Sequence, residues 1–185
     1  MEKYGAASIV VFDYDPNWPA MFEQESRRIK DALGSFALMI EHMGSTAVPG
    51  LPSKPIIDLL VGVPSLEEAT RRCIEPMKAL GYVYIPDYVA WLPGELFFRR
   101  GPPGPWTHHV HLMEPSNPRW EAHLVFRDYL RAHPEVARAY ANVKRGLANA
   151  SKDDIEAYRT GKHTFVEETT ARARAWKARM QQVGT

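Results

Sequence analysis

Two rhythms of apolar and polar positions divide this chain. Up to about residue 116 the rhythms are mixed. Residues 9–12 read as a short opening strand. Asp15-Pro16 then starts a helix in which Trp18, Phe22, Glu25, Ile29 and Leu33 recur at roughly helical spacing, and Gly34 ends it. Residues 36–43 predict the next strand. Residues 44–55 carry three prolines and two glycines, which makes them a rigid loop rather than a helix. Residues 56–63 are a nearly continuous apolar run interrupted by Asp58, the pattern of a buried strand. Residues 65–80 predict a helix with Leu66, Ala69, Cys73, Met77 and Leu80 on one face, and Pro76 inside it predicts a kink or an early end. Residues 82–85, 95–100 and 107–113 are three further strand candidates, the last two separated by a stiff Pro/Gly turn at 101–105.

After Glu114 the rhythm is helical. Asn117-Pro118 marks a helix start, and Trp120, Leu124, Arg127 and Arg131 share a face. Pro134 opens a second helix with Val136, Tyr140, Val143 and Leu147 on one stripe. A third, from about Asp154, carries Tyr158, Lys162, Phe165, Thr169, Ala173 and Trp176 on its stripe. Mixed strands followed by helices predict an α+β domain with helices packed on a sheet.

Composition narrows the class. The chain has 185 residues, 45% of them hydrophobic and 24% charged, which suits one globular domain over residues 1–185, sheet-rich to 116 and helical from 117. No stretch approaches the ~18 apolar residues of a membrane helix. The N-terminus lacks the basic-then-apolar order of a signal peptide. Cys73 has no second cysteine to bridge to and reads as a reduced structural thiol, so the cytoplasm is the expected compartment. The net charge of +1 hides an asymmetry: residues 1–118 hold 10 Lys/Arg and 14 Asp/Glu, residues 119–185 hold 13 and 8. A basic helical half could face an anionic ligand or could be a set of solvated helix faces. There is no dense Lys/Arg block with interleaved aromatics, so nucleic acid is not the expected partner.

The richest chemistry lies in residues 41–58. Gly44 has no Cβ and lets the backbone approach a ligand. Ser45 and Thr46 offer hydroxyls and N–H groups of the kind that hold phosphate oxygens, and Lys54 adds a point charge. Asp58 places a carboxylate in an apolar strand, where it needs a metal, a cation or hydrogen bonds; Lys54 or the loop's own N–H groups would also serve. On the strand at 107–113, His109 and His111 share a face and His108 points the other way. Two histidines and an aspartate make a plausible ligand set for a divalent metal, with Glu41 and His42 close by in sequence. The alternative is that one histidine is a hydrogen-bonded core residue and the other is exposed. Arg127, Lys144 and Lys162 lie at or near the apolar stripes of three successive helices. Either they have anionic partners, such as Asp58, Glu41 or a bound polyphosphate, or they snorkel to water. Trp106, beside the histidine strand, is the tryptophan placed best for stacking.

The run His42-Met43-Gly44-Ser45-Thr46-Ala47-Val48-Pro49-Gly50-Leu51, with Lys54-Pro55-Ile56-Ile57-Asp58, resembles the signature of the GrpB family. So do Thr107-His108-His109-Val110-His111, Phe126-Arg127-Asp128-Tyr129-Leu130, and the pairing of Tyr158 with Gly161-Lys162. The resemblance runs from about residue 8 to 175. It implies an α+β, nucleotidyltransferase-like mixed sheet with packed helices and a helical C-terminal half. In that superfamily a Gly-Ser turn precedes a strand bearing two acids one residue apart, which hold divalent metal ions on a nucleoside triphosphate. The resemblance places Gly44-Ser45 at the turn and Asp58 at the first acid; the second position is Leu60, which ligates nothing. Its implied activity is metal-dependent (Mg, Mn or Zn) transfer of a nucleotidyl or phosphoryl group. Asp58, His109 and His111 would serve as metal ligands and catalytic groups. Gly44, Ser45, Thr46, Lys54, Arg127, Lys144 and Lys162 would bind phosphate. The departure at Leu60 equally supports a non-catalytic module that binds a nucleotide or another phosphorylated small molecule. Domains of this kind are sometimes fused to a kinase of coenzyme A synthesis.

Overall fold

The computed structural model describes residues 9–88, 93–101, 105–151 and 154–183. In chain order the elements are α1 (Trp18–Leu33), β1 (Met39–Met43), β2 (Ile57–Gly62), α2 (Leu66–Arg72), α3 (Ile74–Ala79), β3 (Val83–Tyr84), β4 (Leu96–Arg100) and β5 (His108–Met113). Four helices follow: α4 (Pro118–Ala132), α5 (Pro134–Ala150), α6 (Ile155–Gly161) and α7 (His163–Val183). This is the expected α+β arrangement of a mixed sheet, packed helices and a helical C-terminal half.

The five strands form one sheet in the order β1-β2-β5-β4-β3. Only the central β2–β5 pair is parallel; the other three pairs are antiparallel. The register sets Asp58 beside His109 on one flank and beside Met43 on the other. Because side chains alternate across a strand, the sheet has two distinct faces. One carries Ile57, Leu59, Val61, Val110, Leu112 and Phe98, all essentially inaccessible to water. It packs into one core with Ile29 of α1, Ala69 of α2, Met77 of α3 and Cys73 between α2 and α3. Burying a side chain of this size stabilises the fold by ~1.5–3 kcal/mol relative to leaving it exposed. The opposite face carries Asp58, Leu60, His109, His111 and Phe97. It is apolar where Leu60, Met43 and Met113 meet Trp120 of α4 and polar beside that contact.

Several boundaries differ from the sequence reading, each for a physical reason. Residues 9–12 form no strand; Phe12 makes a single bridge to Ser53. The strand expected at 36–43 starts at Met39, because Gly34–Phe36 extends α1 as a 3-10 turn. The helix expected at 65–80 breaks at Cys73, since Pro76 has no N–H to return to the carbonyl of Arg72. The last helix divides after Gly161, where a Cβ would lie 2.4 Å from a methyl of Leu147. The Gly161 backbone lies there against the Leu147 side chain of α5. Residues 102–104 of the Pro/Gly turn lie outside the described residues.

Candidate functional site

The loop between β1 and β2 is shaped around Asp58. Gly44 adopts φ +72°, and a Cβ added to it would stand 2.3 Å from Asp58 Oδ2. Its missing side chain therefore makes room for this chain's own carboxylate. His109 Nδ1 donates to Asp58 Oδ1 at 3.1 Å. Burial acts to raise the Asp58 pKa. The His109 hydrogen bond and the charges of His109, His111 and Lys54 outweigh it and hold the carboxyl below its ordinary range. Burial lowers the His109 pKa, an effect that the bond to Asp58 only partly offsets. Near neutral pH the pair is a carboxylate and a neutral imidazole with its proton on Nδ1, which leaves a lone pair on Nε2.

His111 stands on the same face, in contact with the Phe97 ring that also meets His109. It does not turn to Asp58: its Nδ1 donates to Oε1 of Glu95 at 3.1 Å. Glu95 is 1% exposed, with Arg119 Nη2 at 3.6 Å from its other oxygen. Burial pushes the Glu95 carboxyl up, but His111, Arg119 and His123 pull it below its usual range. The face thus holds two separate carboxylate–histidine pairs. Among the described residues no group of three or more His, Cys, Asp or Glu is placed to hold a metal ion. His108 lies on the other face beside Arg100 and Thr107, as alternation requires.

The helical half supplies the cations. Lys162 Nζ lies 4.4 Å from the centre of the Tyr158 ring, and Lys54 Nζ lies 5.4 Å from the same centre. Lys144 is 2% exposed, donates to the carbonyl of Pro52 and sits 4.7 Å from the Tyr140 ring centre. Burial first, then the charges of Lys162 and Arg145, lowers Lys144 to about 7. Burial and the charge of Lys54 lower Lys162 to about 8, against the pull of Asp58. Burial likewise lowers Lys54, and Asp58 partly restores it. Burial raises the Tyr140 pKa, and Ser45 on the glycine turn acts to lower it.

Other expected phosphate-site residues are engaged within the protein. Thr46 is fully buried; its hydroxyl donates to the carbonyl of Ile56 at 3.3 Å and meets His42 Nε2 at 3.0 Å. His42 stacks on Phe22 of α1, and burial lowers it to about 4. Arg127 bonds Glu41 at 2.7 Å, the His42 carbonyl at 2.9 Å and Asp128 at 2.8 Å. The structure gathers Gly44, Ser45, Lys54, Asp58, His109, Lys144 and Lys162 about one loop, and engages Thr46 and Arg127 in holding it. Trp106 is half-buried with Arg99 5.7 Å from its ring centre. Sequence reasoning missed Glu95, His123 and Tyr140. His123 was visible in principle, three residues after Trp120 and four before Arg127 on the α4 stripe.

An α+β domain with a carboxylate–histidine pair on one sheet face, opposite its apolar core and flanked by one buried and two half-buried lysines, is the class defined by this fold and site. The chain belongs to the GrpB family: the family model described as GrpB protein matches residues 8–172. It is 39% identical over 174 residues to the UPF0157 protein YqkA of Bacillus subtilis, covering 94% of this chain and 50% of that protein. This chain therefore spans about half the length of that relative. The crystal structure of conserved protein GrpB from Enterococcus faecalis superposes with a TM-score of 0.82 at 36% identity, covering 90% of this chain and 99% of that one. A dephospho-CoA kinase of Mycolicibacterium paratuberculosis is 32% identical over 184 residues, covering 88% of this chain and 45% of the kinase. No described helix is long and apolar enough to cross a membrane.

Proposed function

We propose that the Asp58 face binds a nucleoside triphosphate, or another phosphorylated small molecule, and transfers a nucleotidyl or phosphoryl group from it to an acceptor. The observation that carries this reading is the placing of Lys54 and Lys162 beside one ionised carboxylate, with Lys144 next to Lys162, each lysine lowered by burial. Partly desolvated cations in mutual repulsion gain from an anion with several charges, and a polyphosphate supplies them. Ser45 and the open backbone at Gly44 would add phosphate contacts. The donor set is too small for an all-protein metal cage. It suits an ion such as Mg, which is commonly held by one or two carboxylates together with the substrate's phosphates. Asp58 is the carboxylate that would take part, and the ion, when bound, would neutralise charge on the phosphates. His109, held neutral by burial and oriented by its bond to Asp58, presents Nε2 to receive a proton from an acceptor hydroxyl.

A thermal-shift titration tests this reading. Nucleoside triphosphates are added with and without Mg, Mn and Zn to the wild type and to Asp58→Ala. A ligand at 100 times its Kd adds ~2.7 kcal/mol of stability. A metal-dependent shift that the variant loses supports the site; no response to any combination sinks it. The burial of Leu60 in the apolar cluster with Trp120 favours a second reading, in which a phosphorylated ligand binds without turnover. The similarity to a dephospho-CoA kinase over less than half of that protein suits such an accessory role. Pyrophosphate or phosphate release under saturating ligand separates the two.

A further inference from the structure

A cleft of about 770 Å³ opens on the other side of the same loop. It lies between residues 49–52, the extended segment at Asp13 and Tyr14, and the elbow joining α4 to α5. Its size is that of a small-molecule site, ~300–1,000 Å³. Asp58, His109 and the three lysines do not line it. Its floor is apolar: Leu51, Leu130 and Ala141 are buried there and pack as one cluster with Tyr140. Its rim is cationic. Arg138 and Arg145 stand two turns apart on α5, and Arg131 comes from the last turn of α4. Arg131 Nε is engaged by the carbonyl of Ala47 at 2.9 Å. Among the lining residues Asp13 is the one acid; it pairs with Arg145 at 2.8 Å, the aspartate almost fully exposed and the arginine half exposed. A solvated pair of that kind is easily exchanged for another anion. Arg131 also has Asp128 of α4 at 3.7 Å, outside the lining, so the three guanidinium groups face two carboxylates and the cleft stays net positive above an apolar floor.

We propose that this cleft binds a small organic anion, its apolar body on the Leu51–Leu130–Ala141 floor and its phosphate or carboxylate end on the forks of Arg138 and Arg145. The proposal stands apart from the reading of the Asp58 face. Its test is a titration of the isotope-labelled protein followed by amide chemical shifts. The probes are phenyl phosphate, benzoate, inorganic phosphate and benzyl alcohol. Saturable shifts are expected at Leu51, Ala137 and Asn142 with phenyl phosphate or benzoate. Affinity should be at least about tenfold lower for inorganic phosphate and for benzyl alcohol, because each lacks half of the recognised chemistry. The better of the two aromatic probes tells whether the anionic end is phosphate or carboxylate. The Arg138→Ala/Arg145→Ala double variant, altered at exposed positions, should weaken binding at least about tenfold, and Asp13→Asn should strengthen it. No saturable shift in the cleft, or affinity unchanged in the double variant, overturns the proposal. Binding that is lost in Lys162→Met and kept in the double variant also overturns it, and instead assigns the probes to the Asp58 face.

Discussion

Gly44 and Asp58 are one unit. The glycine is required twice over: its φ of +72° disfavours any other residue, and Asp58 Oδ2 occupies the place of a Cβ. Gly50 offers an internal control, with φ +75° and nothing within 4 Å of a Cβ. Gly50→Ala is expected to cost only the backbone term of ~1–2 kcal/mol. Gly44→Ala should cost ~1–3 kcal/mol more, the scale of overpacking. It should also displace the carboxylate and abolish any Asp58-dependent ligand shift. Chemical denaturation of both variants measures the difference; equal losses would mean that Asp58 moves aside freely. Leu60, two positions along the same strand, behaves oppositely. It is core, fully buried against Met43, Met113 and Trp120. Leu60→Asp, which sets a second acid on the strand of Asp58 with Leu59 between them, is expected to destabilise the protein by several kcal/mol. It should create no metal site, since the residue's strand neighbours Glu41 and His111 are already engaged by Arg127 and Glu95.

At the scale of elements, the helical half works as a clamp on the loop at 44–55. Arg127 of α4 holds Glu41 and the His42 carbonyl, Arg131 holds Ala47, and Lys144 of α5 holds Pro52. Arg127→Ala is therefore expected to lower stability by ~1–3 kcal/mol through the buried acceptor it abandons. Affinity for a phosphorylated ligand should survive once folding is accounted for. Loss of affinity at unchanged melting temperature would return Arg127 to the phosphate site. This role was hidden in the sequence because the partner lies 86 residues away, and helical spacing tells which face a cation occupies, not what it meets. The strands were legible for the converse reason. Period-two alternation around His109, and a β-branched apolar run around Asp58, are local signals that the sheet register preserves. The breaks at Cys73 and Gly161 were only half legible. Pro76 announced the first, but the contact of Gly161 with Leu147 exists only after α5 and α6 pack. The two histidines were correctly placed on one face. Their division between Asp58 and Glu95 depends on where β4 begins, which periodicity leaves uncertain by a residue or two.

For the molecule as a whole, a basic helical half laid against an acidic sheet half concentrates several ionisable groups in partial burial, and stability should follow pH through them. Burial lowers His42 and His123 to about 4 from 6.5. Between those values the unfolded chain holds more protons, so stability falls as pH drops from about 6.5 to about 4. Lys144 and Lys162 lie at about 7 and about 8 against 10.5. Over that interval the unfolded chain again holds more protons, and stability rises with pH. Burial raises Tyr82, Tyr140 and Tyr158 above 10.0, so they keep protons that the unfolded chain releases, and the curve turns down beyond about pH 10. Thermal scans from pH 4 to 11 should place the melting maximum between about pH 8 and 10. Lys162→Met should raise the melting temperature near pH 6 and flatten the rise above pH 8. A bound polyanion reverses the lysine contribution because it favours their charged form. The shift induced by a nucleoside triphosphate should therefore shrink as pH rises from 7 to 10, with proton uptake on binding measurable by calorimetry in buffers of different ionisation enthalpy. A wild-type curve flat between pH 7 and 10, unchanged in Lys162→Met, would mean that water already solvates these lysines, and the electrostatic case for a polyphosphate beside Asp58 would fall with it.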